Sequence, residues 1–469
     1  MKTLQLFRLS CVALMVVWSV SGCRNSQSDK AISHSAPVFP VADKQAVLAT
    51  ILDDEKPLSL IPPSGPEAHA PTSSIQGVLF ADKGGGVAYT AGKDGKGYVV
   101  YNGKPGSLYK AFGSVVFSPD GSRIAYSALV DDKWRMVVDG QAGELFGEIK
   151  NPLFSPDGRH LAYQAMKDGV WHLVVDTTVD KGSKTRYRTP QFSGDSASII
   201  YLDNIDDDTD KGRLVVSDTA FNKEQVIDTG VTSMTLNADR TTVAAISRNS
   251  AGRERVIQFN FAKPDAVMKG AEYDKVRSAV FAPEGTSLAF FGERQGKLYG
   301  VFNGQEEILP EGSTPGITVI NQAGKSVGVL MSAKNGFFLY QMFHNSGRQG
   351  NVYADAEGIV YRGDGAVSAF AARKENNWFI VTNGKEGPAF DRVVTPKFSP
   401  DGKYLVYRAR KDGKRFVVVA DVSGKVLRQH PAYEQVFDVQ FTSDGKSVAY
   451  GVKDGKKLVW KAEALNRSN

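Results

Sequence analysis

The sequence predicts an all-β chain made of about ten copies of one four-stranded unit. Three observations point there. A strand–turn–strand motif recurs with a period near 40 residues, an anchor position follows every copy at a fixed distance, and Asp-Gly pairs punctuate the stretches between. The 47 glycines are spread along the 469 residues rather than clustered, which suits many short strands joined by tight turns.

The clearest copies read VVFSPDGSRIAY (115–126), PLFSPDGRHLAY (152–163), PKFSPDGKYLVY (396–407) and VQFTSDGKSVAY (439–450). Each is numbered from its lead residue, which ends a strand. The ten leads are Phe80, Phe117, Phe154, Phe192, Leu236, Phe281, Ile320, Tyr361, Phe398 and Phe441, at spacings of 37 to 45 residues. Ser-Pro-Asp-Gly then turns the chain: proline presets φ, aspartate bonds back to the backbone, and glycine takes positive φ. Nine residues after each lead stands a second anchor: Tyr89, Tyr126, Tyr163, Tyr201, Ala245, Phe290, Val329, Phe370, Tyr407 and Tyr450, eight of them aromatic. This register survives where the motif between has decayed; copies five to seven are the least regular.

The second strand alternates, so Ile124 and Tyr126 share one face and Ala125 takes the other. Alanine precedes the second anchor in seven copies, at Ala88, Ala125, Ala162, Ala244, Ala289, Ala369 and Ala449. A small residue there lets a neighbouring sheet approach, so both faces of each sheet are expected to be buried. Lys-Asp-Gly tips at 93–95, 167–169, 411–413 and 453–455 suit a second hairpin. Trp134, Trp171 and Trp378, each 17 residues after its lead, read as packing residues of a third strand. A short fourth strand, such as Glu148-Ile149, is expected to lead into the next copy.

A period near 40 with four strands per copy is the pattern of a β-propeller blade. The fold class is therefore a β-propeller of about ten four-stranded blades over residues 73–469. A single large ring is favoured because no linker interrupts the copies; two five-bladed rings are the alternative. The FSPDG…AY pattern resembles the TolB-like, WD-repeat-like propeller family across residues 76–469. The resemblance implies a fold rather than an activity. The family's six-bladed TolB member has a separate N-terminal domain, whereas this chain has about ten copies and a tether.

The N-terminus reads as an address. Lys2 and Arg8 precede a ten-residue apolar run, CVALMVVWSV (11–20), too short to cross a bilayer core. Val20-Ser21-Gly22-Cys23 follows and resembles the lipobox of bacterial lipoproteins. That resemblance implies a signal peptide over 1–22 and lipidation of Cys23, whose thiol takes up the diacylglyceryl group. With Arg24 rather than aspartate after the cysteine, it implies the outer membrane, facing the periplasm. Residues 23–72 carry seven prolines between Pro37 and Pro71 and read as a Pro-rich tether. Within it, the apolar stretch from Ala46 to Leu60 is a candidate closing strand. The last copy stops after its third strand, and pairing near Lys457–Lys461 would complete the ring.

Charge and chemistry are less telling. The formal charge is +6, and removing residues 1–22 takes only Lys2 and Arg8 with it; so slight an excess gives no case for nucleic acid. No cysteine follows Cys23, which leaves the repeats without disulfides, thiolate metal sites or a cysteine nucleophile. The histidines His34, His69, His160, His172, His344 and His430 are scattered, and no nucleophile elbow or phosphate loop is present. Asp206, Asp208 and Asp210 in DNIDDDTDKG have the alternating spacing of a calcium loop. However, Lys211 stands where that loop wants glycine and Ser217 where it wants glutamate, so an acidic solvated hairpin tip is the competing reading. No other cofactor is expected.

Two functions fit. One is a membrane-anchored scaffold that binds an envelope protein or a ligand through the broad faces and channel of a propeller. The other is a propeller enzyme, lyase or hydrolase-like, with an active site in the channel. The first is preferred, since no catalytic cluster can be named.

Overall fold

In a computed structural model, described for residues 44–51, 56–57, 78–80, 86–93, 96–343, 348–394, 396–442 and 444–465, every helical or strand element is a strand. The chain is a β-propeller. Its strands form antiparallel sheets that follow one another in sequence, and each of the ten leads is the last residue of a strand, as in Ala111–Phe117, Glu148–Phe154 and Gln435–Phe441. One sheet has seven strands. Its central strand Gln225–Leu236 closes one blade with its first half and opens the next with its second, so the sheet is two blades joined through a shared strand. Counting from the blade of Phe80, the described residues contain ten blades.

The turn chemistry explains the motif. Ser118 Oγ donates to Asp120 Oδ1 at 2.5 Å and accepts from Arg123 N at 3.0 Å, closing the turn from inside. Ser155, Ser193, Ser399 and Thr442 make the same pair of bonds in their own blades. Gly121 sits at φ +72°, the left-handed region this turn requires.

One expectation is corrected. Glu148-Ile149 is not a fourth strand; it begins the first strand of blade 3, and the fourth strand of blade 2 is Gln141–Phe146. The hairpin into that fourth strand turns at Asp139-Gly140, with φ of 50° and 83°, a type I′ turn. Asp139 Oδ1 also accepts from Ile124 N at 2.9 Å, tying the third-strand turn to the start of the second strand. Asn102, Asp176, Asn303 and Asn383 repeat this bond.

The second strands are buried almost end to end, as in IAYSALV and LAYQAMK. Ten apolar clusters lie among the described residues, each spanning two consecutive blades. Ile124 and Tyr126 pack toward blade 1, while Ala125 packs toward blade 3. One cluster joins the last blade to the first: Phe437, Ala449 and Trp460 meet Val87, Tyr89 and Val100. The blades therefore form one ring of ten, not two of five. The seven alanines before the second anchors are all buried, and Trp171 and Trp378 pack between blades.

The closing strand is Lys44–Thr50. It runs antiparallel to Lys457–Ala464, with Lys44 opposite Ala462 and Thr50 opposite Lys457, and Ile51 N donates to Lys456 O at 2.8 Å. Ala49 and Ile51 enter the cluster shared with blade 1. Lys56–Pro57 then pairs with Ala91 and Gly92 of blade 1. The sheets thus take in residues from the stretch read as tether; the remainder of 23–72 lies outside the described residues.

A second aromatic register ties neighbouring blades together. Tyr109, Phe146, Tyr273, Tyr353, Phe390 and Tyr433 each stand eight residues before a lead. Each packs against the aromatic nine residues after it, at centroid distances of 5.8 to 6.4 Å. The first five of these ring pairs are edge-to-face, the favoured arrangement for such rings. Five of the six also make an isolated β-bridge to the third strand of the preceding blade. One example is Phe390 with Trp378, where each N–H donates to the other's carbonyl at 2.8 Å. One residue therefore grips the blade behind with its backbone and the blade ahead with its ring. Phe390→Leu is expected to lower stability by about 1–3 kcal/mol in denaturant unfolding. A cycle with Tyr407→Leu should show coupling of about 0.5–1.5 kcal/mol, and strict additivity would deny the pairing.

Candidate functional site

The hairpin tips of the second and third strands, and the crossovers between blades, gather at one end of the ring. The Ser-Pro-Asp-Gly turns gather at the other. At the hairpin end, blades 4 and 5 frame a cleft of about 350 Å³. The shared strand builds it. A Cβ at Gly230 would collide with the carbonyl oxygen of Arg248, so only glycine lets the strand pass this close. Asp228 Oδ1 accepts from Gly230 N at 2.8 Å and its Oδ2 from Ser247 Oγ at 3.0 Å.

Four cationic side chains line the cleft: Lys211, Arg248, Arg255 and Lys269. Arg248 is committed, donating through Nε to Glu254 Oε1 at 2.8 Å and through Nη1 to Thr209 O at 2.9 Å. Arg255 spends one donor on Glu272, at 2.6 Å. Lys211 makes one long bond, 3.5 Å, to Asn249 O, and Lys269 is exposed.

The acidic tip singled out in the sequence stands beside this cleft, linked to it by the Arg248–Thr209 bond. Its three aspartates are not gathered. Asp206 Oδ1 accepts from Thr209 N and Oγ1 at 2.8 and 2.9 Å, bonds that hold its carboxyl below the usual aspartate range. Asp210 pairs with Arg188 at 2.7 Å, and Asp208 is exposed. Among the described residues, no three His, Cys, Asp or Glu side chains converge as a metal ion would need. Calcium there would have to draw Asp210 from Arg188. Cys23, His34, His69 and His344 lie outside the described residues.

The remaining histidines sit in structural positions. His160 holds Asp176 at 2.7 Å, in the register where Arg123 holds Asp139 at 2.8 Å in the blade before. His172 lies 3.4 Å from the buried Asp180, whose carboxyl burial pushes up and to which Tyr187 donates. His430 is buried between blades 9 and 10, its Nδ1 2.6 Å from Glu463 Oε2, while Tyr450 donates to Glu463 Oε1 at 2.5 Å. Burial alone would raise the Glu463 carboxyl. The bonds from His430 and Tyr450, with Lys461 nearby, outweigh it and hold the carboxyl down at about 2. Sequence reading missed this cluster and the cleft. Their residues come from several strands and turns far apart in sequence, and no local motif joins them.

Solved structures similar to the chain include a eukaryotic initiation factor, at 13% identity over 77% of this chain and 96% of that one with a TM-score of 0.47. An oligogalacturonate lyase from Vibrio parahaemolyticus matches at 13% identity over 75% and 96%, TM-score 0.34. TolB from Acinetobacter baumannii matches at 14% over 69% and 81%, TM-score 0.28. Likenesses this distant carry no argument about activity. No known family model matches the sequence, and no curated protein does.

The Glu463 cluster gives the ring a defined acid response. A carboxyl lowered on folding adds stability that is present above its unfolded value near 4.5 and is lost as pH falls toward 2. Glu463→Gln is expected to lower the melting temperature at pH 7 and to shrink its fall between pH 5 and 3. Equal acid sensitivity in both proteins would contradict this assignment.

Proposed function

We propose that the chain is a lipid-anchored β-propeller scaffold of the bacterial cell envelope, tethered through Cys23 and binding an envelope protein or ligand. The outer membrane, facing the periplasm, is the favoured location. The observation that carries this reading is the placement of the closing strand. Lys44 lies toward the end of the ring that bears the Ser-Pro-Asp-Gly turns, and Thr50 toward the hairpin tips. The chain preceding Lys44 therefore joins the ring at an outermost strand, on the side away from the cleft. A tether that starts from that end begins on the side away from the hairpin tips and the cleft, which suits an anchored binding platform. Stable anchoring takes more than one acyl chain, which the lipobox resemblance supplies.

The test has two arms. Cys23→Ser is expected to abolish incorporation of labelled palmitate and to move the protein from the membrane to the soluble fraction. Affinity purification from crosslinked envelopes should recover a reproducible partner. A wild-type protein that takes up no acyl group and fractionates as soluble would sink the anchor. Recovery of no partner, together with turnover of a glycan or peptide, would replace the scaffold with an enzyme.

A further inference from the structure

We infer that the cleft between blades 4 and 5 binds a small, hydroxyl-rich anion, a sugar acid or a sugar phosphate. The lining argues against an apolar ligand, because Ile257 is its one hydrophobic member, whereas pockets for apolar small molecules are mostly hydrophobic. The volume of about 350 Å³ suits a ligand of one or two sugar units rather than a polymer.

The charge arrangement chooses the sign. Four cationic side chains line the cleft against one carboxylate, Asp228, whose oxygens accept from Gly230 and Ser247 and so offer fewer lone pairs to a cation. Arg248 is taken by Glu254 and by the Thr209 carbonyl. Lys211, Lys269 and the unspent donors of Arg255 remain, and an ammonium or guanidinium with open donors is a ready oxyanion partner. Ser250 and Thr229 add hydroxyls to the wall, groups that both donate to and accept from sugar hydroxyls. The anionic group would lie against Lys211, Lys269 and Arg255, with the hydroxyls turned to the serine and threonine side. The cleft is open to solvent, so the affinity should be modest and should fall with salt.

Nothing here depends on the lipid anchor or on a protein partner, so the two proposals fail separately. The mature chain is titrated calorimetrically at low salt with D-glucose 6-phosphate, D-glucuronate, inorganic phosphate and D-glucose. The expected result is saturable binding of at least one sugar anion, tighter than inorganic phosphate, and none of glucose. Tighter glucose 6-phosphate binding would assign the site to sugar phosphates, tighter glucuronate binding to sugar acids, and inorganic phosphate binding as tight as either would overturn the sugar assignment. The double variant Lys211→Gln, Lys269→Gln should weaken that binding by roughly tenfold or more, as loss of charged hydrogen bonds does. Lys403→Gln, on the opposite end of the ring, should leave it unchanged. Melting curves check that each variant is folded. Absence of anion binding, glucose binding equal to that of glucuronate, or undiminished binding by the double variant would overturn the inference.

Discussion

A sheet that is apolar on both faces cannot stand alone in water, and the blades of this protein are such sheets. Their second strands are buried nearly from end to end, and alanines such as Ala125 and Ala162 keep one face flat enough for a neighbour to close on it. Each blade must be covered twice, by the one before and the one after. A linear stack would leave two uncovered faces; a ring leaves none. The aromatics eight residues before the leads turn this requirement into a geometry. A residue such as Tyr353 is hydrogen-bonded to the third strand of blade 7 while its ring packs on Phe370 of blade 8.

Closure also solves the problem of the last edge. Without Lys44–Thr50, the third strand of blade 10 would present a row of unpaired backbone groups. Pairing the two distant parts of the chain caps that edge and places Ala49 and Ile51 in the apolar seam with blade 1. The cluster of His430, Glu463 and Tyr450 lies at the junction on the other side of the same blade, so that face of blade 10 adds buried hydrogen bonds to its apolar packing against blade 9.

The propeller was legible because its turn is chemically demanding. Ser118 (Thr442 in blade 10), Asp120 and Gly121 fill roles that few residue types can take, so the motif marks the end of the first strand in its clearest copies. Features without such a local signature were not legible. Tyr109 and its counterparts precede the motif, and the register weakens where the crossover differs. Tyr187 packs on Tyr201 at a spacing of 14 rather than 17 residues, and blades 5 and 7 have Asp228 and Gly312 at that position. Glu148-Ile149 misled because the fourth strand and the following first strand are separated only by Gly147. The cleft was invisible, since its basic side chains lie between Lys211 and Lys269 on separate strands, and only the neighbouring run of aspartates stood out.

Closure of the ring depends on an N-terminal and a C-terminal strand, Lys44–Thr50 and Lys457–Ala464, meeting in one sheet. Val47 faces Val459 across the closing pair, close enough for a disulfide when both are cysteine. No cysteine follows Cys23, so in a Cys23→Ser background the double variant Val47→Cys, Val459→Cys has no other thiols in its mature chain. Mild oxidation of the folded protein should close this bond nearly completely, giving a faster band on a non-reducing gel and a higher melting temperature. Thiols that stay free while the protein remains folded would contradict a ring closed by its N-terminal strand.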